Sequence, residues 1–316
     1  MKRTGATALR HRTRSEAMSA PAIPVRSDAP ALAMFLTLLA GATCIGFSGV
    51  FVRLADVGPA AAGFWRMMFA LPVLAAWTAM ERRRPAAAGA GRGGHIAIAL
   101  AGLTFGIDVV LYNASLAHTT LANASLLGNL APVGVVLGGW LLLGDRPSRR
   151  ILGALVLAVA GAALLVLPKF NGSAARGGLF GDGLAFGAAM SYAAYILAVG
   201  RARAHADAGR VSLISSLICA AFCLVAALGL GEQMMPGSLQ GWLAVIALGL
   251  VSHALGQGLI TLSLGSYGAG AASLVMVWPA LVSVLAAWAI FGEQPTPVQA
   301  FGGVAILAAV LLVRKG

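Results

Sequence analysis

Apolar residues form ten long runs between Ala31 and Val313, and short polar or Gly- and Pro-containing connections separate them. Each run approaches the roughly 20 residues that a helix needs to cross the hydrocarbon core of a bilayer. The pattern therefore predicts an all-α membrane protein of ten transmembrane helices. The predicted spans are 31–53, 59–80, 95–115, 120–143, 150–168, 179–200, 211–231, 240–263, 268–291 and 297–313.

The second five runs repeat the order of features found in the first five. The repeated features are Ser125-Leu126, Pro132 and Gly144-Asp145 in the first half, and Ser273-Leu274, Pro279 and Gly292-Glu293 in the second. The Ser-Leu and Gly-acid pairs match at an offset of 148 residues, and the prolines match at 147. Because each repeat holds an odd number of spans, the two halves enter the membrane in opposite orientations. The sequence thus predicts two inverted five-helix repeats, an architecture of many secondary transporters.

Composition excludes a soluble protein. Hydrophobic residues make up 59% of the chain, charged residues 10%, and the mean hydropathy is +0.88. A soluble domain has about 25% charged residues. The three cysteines, Cys44, Cys219 and Cys223, all fall within predicted spans, where no disulfide framework is expected. Two of them share a helix face, but two ligands do not make a structural zinc site. We predict no metal and no cofactor.

Basic residues predict the orientation in the membrane. With both termini in the cytoplasm, the cytoplasmic segments hold 18 of the 22 Lys and Arg residues. This bias follows the positive-inside rule and agrees with an even number of spans. It also accounts for the net charge of +12, so the charge gives no support to a nucleic-acid partner. The sequence predicts a multi-pass protein of a bacterial inner membrane.

The chain divides into three predicted segments. Residues 1–30 are basic, polar and rich in Pro and Ser, which is typical of a disordered cytoplasmic tail. They do not resemble a cleavable signal peptide, because the apolar run that follows has the length of a span. Whether translation starts at Met1 or Met18 is left open. The first five-helix repeat is predicted at 31–168 and the second at 179–313.

Ionisable and amide side chains inside the spans are the main functional candidates, since the bilayer makes them costly. Asp108 lies just past the middle of span three, and His253 and Gln257 lie one helical turn apart in span eight. Because spans three and eight correspond in the two repeats, Asp108 and His253 are predicted to face one central cavity. The alternatives are a neutral or paired structural carboxylate beside Asn113 or a helix end for Asp108, and a hydrogen-bonded packing residue for His253.

Further candidates for the substrate pathway are polar or aromatic residues in other spans. Arg66 in span two is a candidate for the substrate pathway or a gate, although its side chain could instead extend to the membrane surface. The others are Ser48, Tyr112, Asn129, Tyr192, Tyr195 and Trp278. Aromatic residues at helical spacing also occur in ordinary packing, and that alternative stays open for the tyrosines and Trp278.

The repeated Gly-acid pairs are predicted to be structural turns. Gly144-Asp145 and Gly292-Glu293 each stand between two spans, where Gly is the usual residue at a helix C-terminus and acids favour the next N-terminus. Asp182 is predicted as the N-cap of the sixth helix.

These features together resemble the EamA family of the drug/metabolite transporter superfamily. The motifs are the duplicated Ser-Leu, Pro and Gly-acid pattern, Phe64-Trp65-Arg66-Met67 in span two and Gly181-Asp182-Gly183-Leu184 in span six. The resemblance covers about residues 31–313. One departure is Asp145, where the family usually has Glu, as at Glu293.

The resemblance implies a transmembrane transporter that moves a small organic solute outward by alternating access. Amino acids or related metabolites are the expected efflux cargo, and a multidrug or other metabolite facilitator is the alternative. Proton coupling and facilitated transport both remain open, as does the oligomeric state. A membrane-embedded enzyme is disfavoured, because the sequence contains neither His-Glu-x-x-His nor Gly-x-Ser-x-Gly.

Overall fold

The computed structural model describes residues 31–81, 92–119, 127–166, 178–267, 269–291 and 296–314, which form helices and their connections without any strand. The all-helical prediction is confirmed for these residues. One segment, Leu248–Gln257, is π-helical. The helices are α1 (Ala31–Gly46), α2 (Ser48–Leu54), α3 (Pro59–Glu81), α4 (Arg92–His118), α5 (Ala131–Leu143), α6 (Arg149–Val166), α7 (Leu179–Arg203), α8 (Ala208–Gly229), α9 (Leu239–Ala247), α10 (Gly258–Leu264), α11 (Ala269–Val275), α12 (Trp278–Phe291) and α13 (Pro297–Arg314).

Many of these helices are long and apolar enough to cross a membrane. By length and composition, seven segments of the described residues qualify: Leu32–Leu54, Pro59–Glu81, Arg92–Ser115, Leu179–Arg203, Ala208–Gly229, Leu239–Leu264 and Ala269–Ile290. Large apolar side chains face outward, among them Leu142 (79% exposed) and Val225 (72% exposed), as lipid contact requires. The helices α5 and α6 are shorter, with 13 and 18 residues. The prediction of ten crossings therefore stays a prediction.

Proline interrupts the predicted span 268–291. Met276 and Val277 form a turn between α11 and α12, in which the Met276 N–H donates to the Ser273 carbonyl at 3.0 Å. Pro279 explains the break, because proline has no N–H and its ring clashes with the carbonyl four residues earlier. In the first half a turn at residues 129–130 likewise precedes α5, whose second residue is Pro132. The predicted span 268–291 therefore agrees with the apolar segment Ala269–Ile290, and within this segment the chain forms two helices with one turn between them.

The predicted span 240–263 also departs from a uniform α-helix. It consists of α9, the π-helical segment and α10, and π-helical turns inside α-helices are frequent at functional sites. The π-helical segment packs against α1 and α3. A Cβ atom added to Gly41 of α1 would lie 2.7 Å from the Gly256 carbonyl oxygen, so this close backbone approach requires glycine.

Helices from the two halves of the chain interleave. In the bundle, α4 packs against α7 and α8, α3 packs against α8, and α6 packs against α13. The main buried cluster accordingly draws side chains from both halves, including Phe105, Ile196, Cys219 and Ile260. Polar residues that the sequence places in the middle of separate spans therefore converge at the centre of the bundle.

Candidate functional site

Two charged side chains meet inside the helix bundle. Arg66 on α3 and Asp108 on α4 lie within electrostatic range of each other. The guanidinium carbon of Arg66 is 5.6 Å from the centre of the Phe105 ring, which is buried. Such a cation–π contact is favourable, most of all where water is excluded. Arg66 therefore points into the bundle, and the alternative that it only extends to the membrane surface is wrong.

Phe105 is the centre of an aromatic stack. Its ring stacks on Tyr195 with centroids 4.6 Å apart and on His253 with centroids 5.7 Å apart. Tyr192 lies at 6.4 Å from Phe105 and 5.7 Å from Tyr195. The stack joins α4, α7 and the π-helical segment, and it forms an aromatic wall beside the Arg66 guanidinium.

Hydrogen bonds fix the polar side chains of the same cluster. The Gln257 Nε2 donates to the Tyr195 hydroxyl at 2.9 Å, and Ser216 Oγ lies 2.7 Å from His253 Nε2. His253 and Gln257 are each 3% exposed. Within the described residues, Arg66 Nε and His253 Nδ1 are buried without a hydrogen-bond partner. Buried polar atoms are usually satisfied, so these two nitrogens mark positions where an added partner would be stabilised.

The π-helical segment places His253 and Gln257 on the cluster side. A π-helix bonds residue i to residue i+5, so residues four apart remain close to the same face. His253 and Asp108 were predicted to share a cavity, and the structure links them through Phe105 and Arg66. No hydrogen bond or ion pair joins these two residues in the described part of the chain.

The other predicted pathway residues lie at different distances from the cluster. Tyr112 follows Asp108 by about one turn of α4, and Asn129 lies in the turn before α5. Ser48 is the first residue of α2, after the interruption of the first span at Phe47. Trp278 begins α12 and its Nε1 donates to Thr43 Oγ1 at 3.0 Å, which ties α12 to α1. No hydrogen bond or ring contact links Ser48 or Trp278 to the Phe105 stack among the described residues.

The predicted turn residues are placed as follows. Gly144 ends α5 with φ 77°, and its N–H donates to the Trp140 carbonyl at 3.2 Å. Asp145 N–H donates to the Gly139 carbonyl at 3.0 Å. This left-handed residue satisfies late helix carbonyls, as glycine does at many helix ends. Gly292 and Glu293 lie outside the described residues.

Asp182 is not the N-cap of the sixth helix. The cap is Gly178, and Asp182 lies within the first turn of α7. Its carboxylate accepts a hydrogen bond of 2.5 Å from the Thr119 hydroxyl. Asp182 instead joins the end of α4 to the start of α7. This contact between distant parts of the chain outweighs the local preference of an acid for the cap position.

Sequence reasoning missed Ser216 and the central place of Phe105. Ser216 was one of three serines, with Ser212 and Ser215, in an otherwise apolar span, and that polar group was an available signal. Phe105 carried no such signal, because a buried phenylalanine is ordinary in any span. Its role depends on three neighbours that only the fold brings together.

The cluster combines a fixed cation, a carboxylate, two phenol groups and an aromatic wall. This set can hold a small solute that carries both charge signs and an apolar part. Arginine suits a planar carboxylate, because its guanidinium offers several donors in a fixed arrangement. Among the described residues, no group of three or more His, Cys, Asp or Glu side chains is placed to hold a metal ion.

A match to a known protein family shows which class of protein this chain belongs to. The sequence model of the EamA-like transporter family matches this chain twice, over residues 32–167 and 179–315. The chain belongs to the EamA-like transporter family. This confirms the resemblance drawn from the duplicated motifs. The protein is thus a transmembrane transporter of a multi-pass family, for which a small-molecule substrate and a lipid bilayer are implied.

Individual relatives agree with this membership. The pseudopaline exporter CntI of Pseudomonas aeruginosa is 26% identical over 215 residues, which is 68% of this chain and 73% of that protein. An uncharacterized transporter of Archaeoglobus fulgidus is 26% identical over 286 residues, 88% of this chain and 95% of its own. One crystal structure of another protein superposes with a TM-score of 0.70 at 18% identity, covering 89% of this chain and 95% of that one. The last likeness shows the shared fold.

Proposed function

We propose that this EamA-family protein exports small organic solutes, with amino acids or related metabolites as cargo. The observation that supports this most is the central cluster of Arg66, Asp108, Phe105 and His253. It draws side chains from both halves of the chain and places opposite charges beside an aromatic wall. Transporters built from repeats bind substrate at the repeat interface near the bilayer midplane.

An amino acid fits the charges of this cluster. Its carboxylate would pair with the Arg66 guanidinium, and its ammonium group with the Asp108 carboxylate. The buried Arg66 Nε, unpartnered within the described residues, supports a carboxylate ligand at that position. The rings of Phe105 and Tyr192 would then contact the apolar side chain of the solute.

We propose ten membrane crossings in two inverted repeats, at 31–168 and 179–313. The packing supports this reading, because contacts recur in pairs when the two halves are exchanged. Exchanging the two halves turns the contact between α4 and α7 into the contact between the π-helical segment and α1. The contacts of α3 with α8 and of α6 with α13 are unchanged by the exchange, because each joins two corresponding helices. Rocking of one bundle against the other about the central cluster would give alternating access.

We place the protein in the inner membrane of a bacterium with both termini in the cytoplasm. The support is the basic bias of 18 of 22 Lys and Arg residues toward the cytoplasmic segments. The bacterial relative that exports pseudopaline is in keeping with export as the direction.

Proton coupling is proposed through Asp108. A carboxylate in a span costs about 2.5–3.5 kcal/mol on insertion scales unless it is neutralised, paired or hydrated. Asp108 would exchange a proton for the cationic part of the solute as the site turns from one side to the other. A facilitated pathway is the alternative, in which Arg66 alone balances the carboxylate throughout the cycle.

A second candidate cargo is a metabolite other than an amino acid. The relative named as a pseudopaline exporter favours this candidate, since it is 26% identical to this chain over 68% of the chain's length. A multidrug facilitator is a third candidate, without a specific observation in its favour. An enzymatic role is disfavoured, because the family and its relatives are transporters.

Transport in proteoliposomes tests the proposal. Purified protein would be reconstituted and offered a panel of labelled amino acids, other zwitterionic metabolites and organic cations. We expect uptake of a zwitterion without chemical change, competed by its unlabelled form and lost in Asp108→Asn. A folded protein that moves only organic cations would assign it to the multidrug alternative, and a chemically altered product would assign it to the enzymes.

A further inference from the structure

Helices α3 and α8 pack antiparallel, and each is bonded to the other at both ends. The start of α3 contacts the segment that follows α8, and the end of α3 contacts the start of α8. In the two-repeat arrangement these are corresponding helices, the second of each half. The interface between them is therefore built by the same part of both repeats.

A carboxylate closes each end of this helix pair. Glu232, just after α8, accepts a hydrogen bond of 2.9 Å from the Ala61 N–H in the first turn of α3. Glu81, the last residue of α3, accepts one of 2.8 Å from the Gly209 N–H in the first turn of α8. An acidic group at a helix N-terminus is stabilised by the free N–H groups and the helix dipole.

At each of these contacts the carboxylate lies so close to a glycine that a larger residue would not fit at the glycine position. A Cβ atom added to Gly209 would lie 2.8 Å from Glu81 Oε2. A Cβ atom added to Gly58 at the other end would collide with Glu232 Oε2. Each contact thus combines an acid at or just after the end of one helix with a glycine at or just before the start of the other. The same two residue types therefore form both contacts.

In the proposed topology the two contacts lie near opposite faces of the membrane. The 23 residues of α3 span about 34 Å, slightly more than the hydrocarbon thickness of a bilayer. Arg66 of α3 and Cys219 of α8 are within electrostatic range of each other between the two ends. The buried part of the interface, which contains Cys219, therefore has a carboxylate contact at each end.

We propose that Glu81 and Glu232 are paired end clasps that open alternately to give the central cluster access to one side of the membrane at a time. This inference rests on the proposed transport function. Separating α3 from α8 at one end breaks the hydrogen bond to that carboxylate, with any other bonds at the same end, and leaves the opposite end in place as a hinge. Opening both ends at once breaks both bonds, so the doubly open state, which would leak, is the least stable.

The Glu232 end has additional bonds. The Gly58 N–H donates to the Gln233 carbonyl at 3.0 Å, and Trp65 Nε1 donates to the Met234 carbonyl at 2.6 Å. Loss of the Glu232 carboxylate thus leaves two further contacts between the start of α3 and the segment after α8.

The test uses Cys219 as a reporter, since this thiol is fully buried in the central region. In full-length protein carrying Cys44→Ala and Cys223→Ala, Cys219 would be labelled with a charged, membrane-impermeant thiol reagent applied from either side of sealed vesicles. Glu232→Ala should raise the labelling rate from the Glu232 side, and Glu81→Ala from the Glu81 side. A shift of about fivefold or more is expected from the loss of a capping bond.

Controls keep the result interpretable. Asp207→Ala removes a carboxylate at the same end of α8 as Glu81, but Asp207 makes no capping bond through its side chain, so labelling should stay at the parent rate. Glu81→Gln and Glu232→Gln keep an acceptor and should give smaller shifts in the same directions, which covers the case in which an alanine variant does not fold. Labelling that rises from the same side in both variants, or does not change in folded protein, would overturn the clasps. The readout needs no substrate, so it separates the clasps from the transport function.

Discussion

The side-chain amide of Gln257 donates a 2.9 Å hydrogen bond to the hydroxyl of Tyr195, and this bond joins the π-helical segment to α7 in the buried centre of the bundle. Both residues are nearly inaccessible to solvent. The bond fixes the ring of Tyr195, on which Phe105 stacks at 4.6 Å. The geometry of the proposed binding wall therefore depends on a hydrogen bond between two uncharged side chains.

Breaking this bond from one side should destabilise the protein. Tyr195→Phe leaves the Gln257 amide buried with one fewer acceptor, and such an unsatisfied donor costs about 1–3 kcal/mol. Replacing both partners, in Tyr195→Phe with Gln257→Leu, should cost less than the sum of the single changes. Thermal unfolding of purified protein in detergent measures this coupling. Strictly additive shifts would show that the bond contributes nothing.

Asp108→Asn should abolish uphill transport without preventing insertion. The change keeps the shape of the side chain and removes its charge, so the proposed solute ammonium loses its partner. Loss of one partner of such a pair costs about 2–5 kcal/mol, or at least about 30-fold in transport. The pH dependence of transport should also weaken. His253→Gln should give a milder defect. Asp145→Asn serves as the matched control, because this carboxylate is exposed at a turn. Uphill export and pH dependence like those of the parent would make Asp108 structural.

Arg66→Lys should weaken solute binding although it keeps the positive charge. Lysine lacks the planar guanidinium that lies 5.6 Å from the Phe105 ring centre and that matches a carboxylate with paired donors. We expect the half-saturating solute concentration to rise about tenfold, which corresponds to about 1.4 kcal/mol of binding free energy. Phe105→Leu should give part of this effect by removing the ring alone. An unchanged half-saturation in Arg66→Lys would place the solute elsewhere.

Trp278→Ala should change substrate preference more than the amount of folded protein. The indole borders α1 through its 3.0 Å bond to Thr43, and its loss would widen the space between α12 and α1. Thr43→Val removes only the acceptor and is the matched control, with preference expected to stay near that of the parent. Competition assays over the solute panel measure the preference. A fall in folded protein with unaltered selectivity would assign Trp278 to packing.

The proposed topology predicts side-specific labelling. A cysteine placed at Ser173 should react with an impermeant reagent only from outside the cell, and one placed at Ser148 only from the cytoplasm. The reason is the basic bias of the cytoplasmic segments. Reaction of position 173 from the cytoplasm alone would contradict the inverted-repeat arrangement.

Much of the fold could be predicted, because bilayer crossing imposes a length on every apolar run. The prediction for 59–80 differs from the observed Pro59–Glu81 by a single residue. Pro279 also contained the information for the break before α12, although the sequence pattern was interpreted as one span. The π-helical segment was not predictable, since nothing in Leu248–Gln257 departs from α-helical periodicity and its geometry depends on packing against α1 and α3.

The sequence predicted which residues belong to the candidate site, but it did not predict the contacts between them. The cost of a polar group in a span singled out Asp108, His253 and Arg66. Their arrangement around Phe105 depends on how α3, α4 and the π-helical segment pack together. A single sequence does not reveal this packing. Ser216 was missed for the same reason, because its significance is the 2.7 Å contact with His253 Nε2.

The most direct test of the central claim is zwitterion counterflow in proteoliposomes that contain purified parent protein, Asp108→Asn or Asp145→Asn. Counterflow measures exchange across the membrane and needs no assumption about coupling. We expect rapid exchange of an unmodified amino acid or related metabolite by the parent and by Asp145→Asn, and a loss of at least about 30-fold in correctly folded Asp108→Asn. Equal exchange by the three proteins would contradict the assignment of the Arg66–Asp108 cluster as the substrate site.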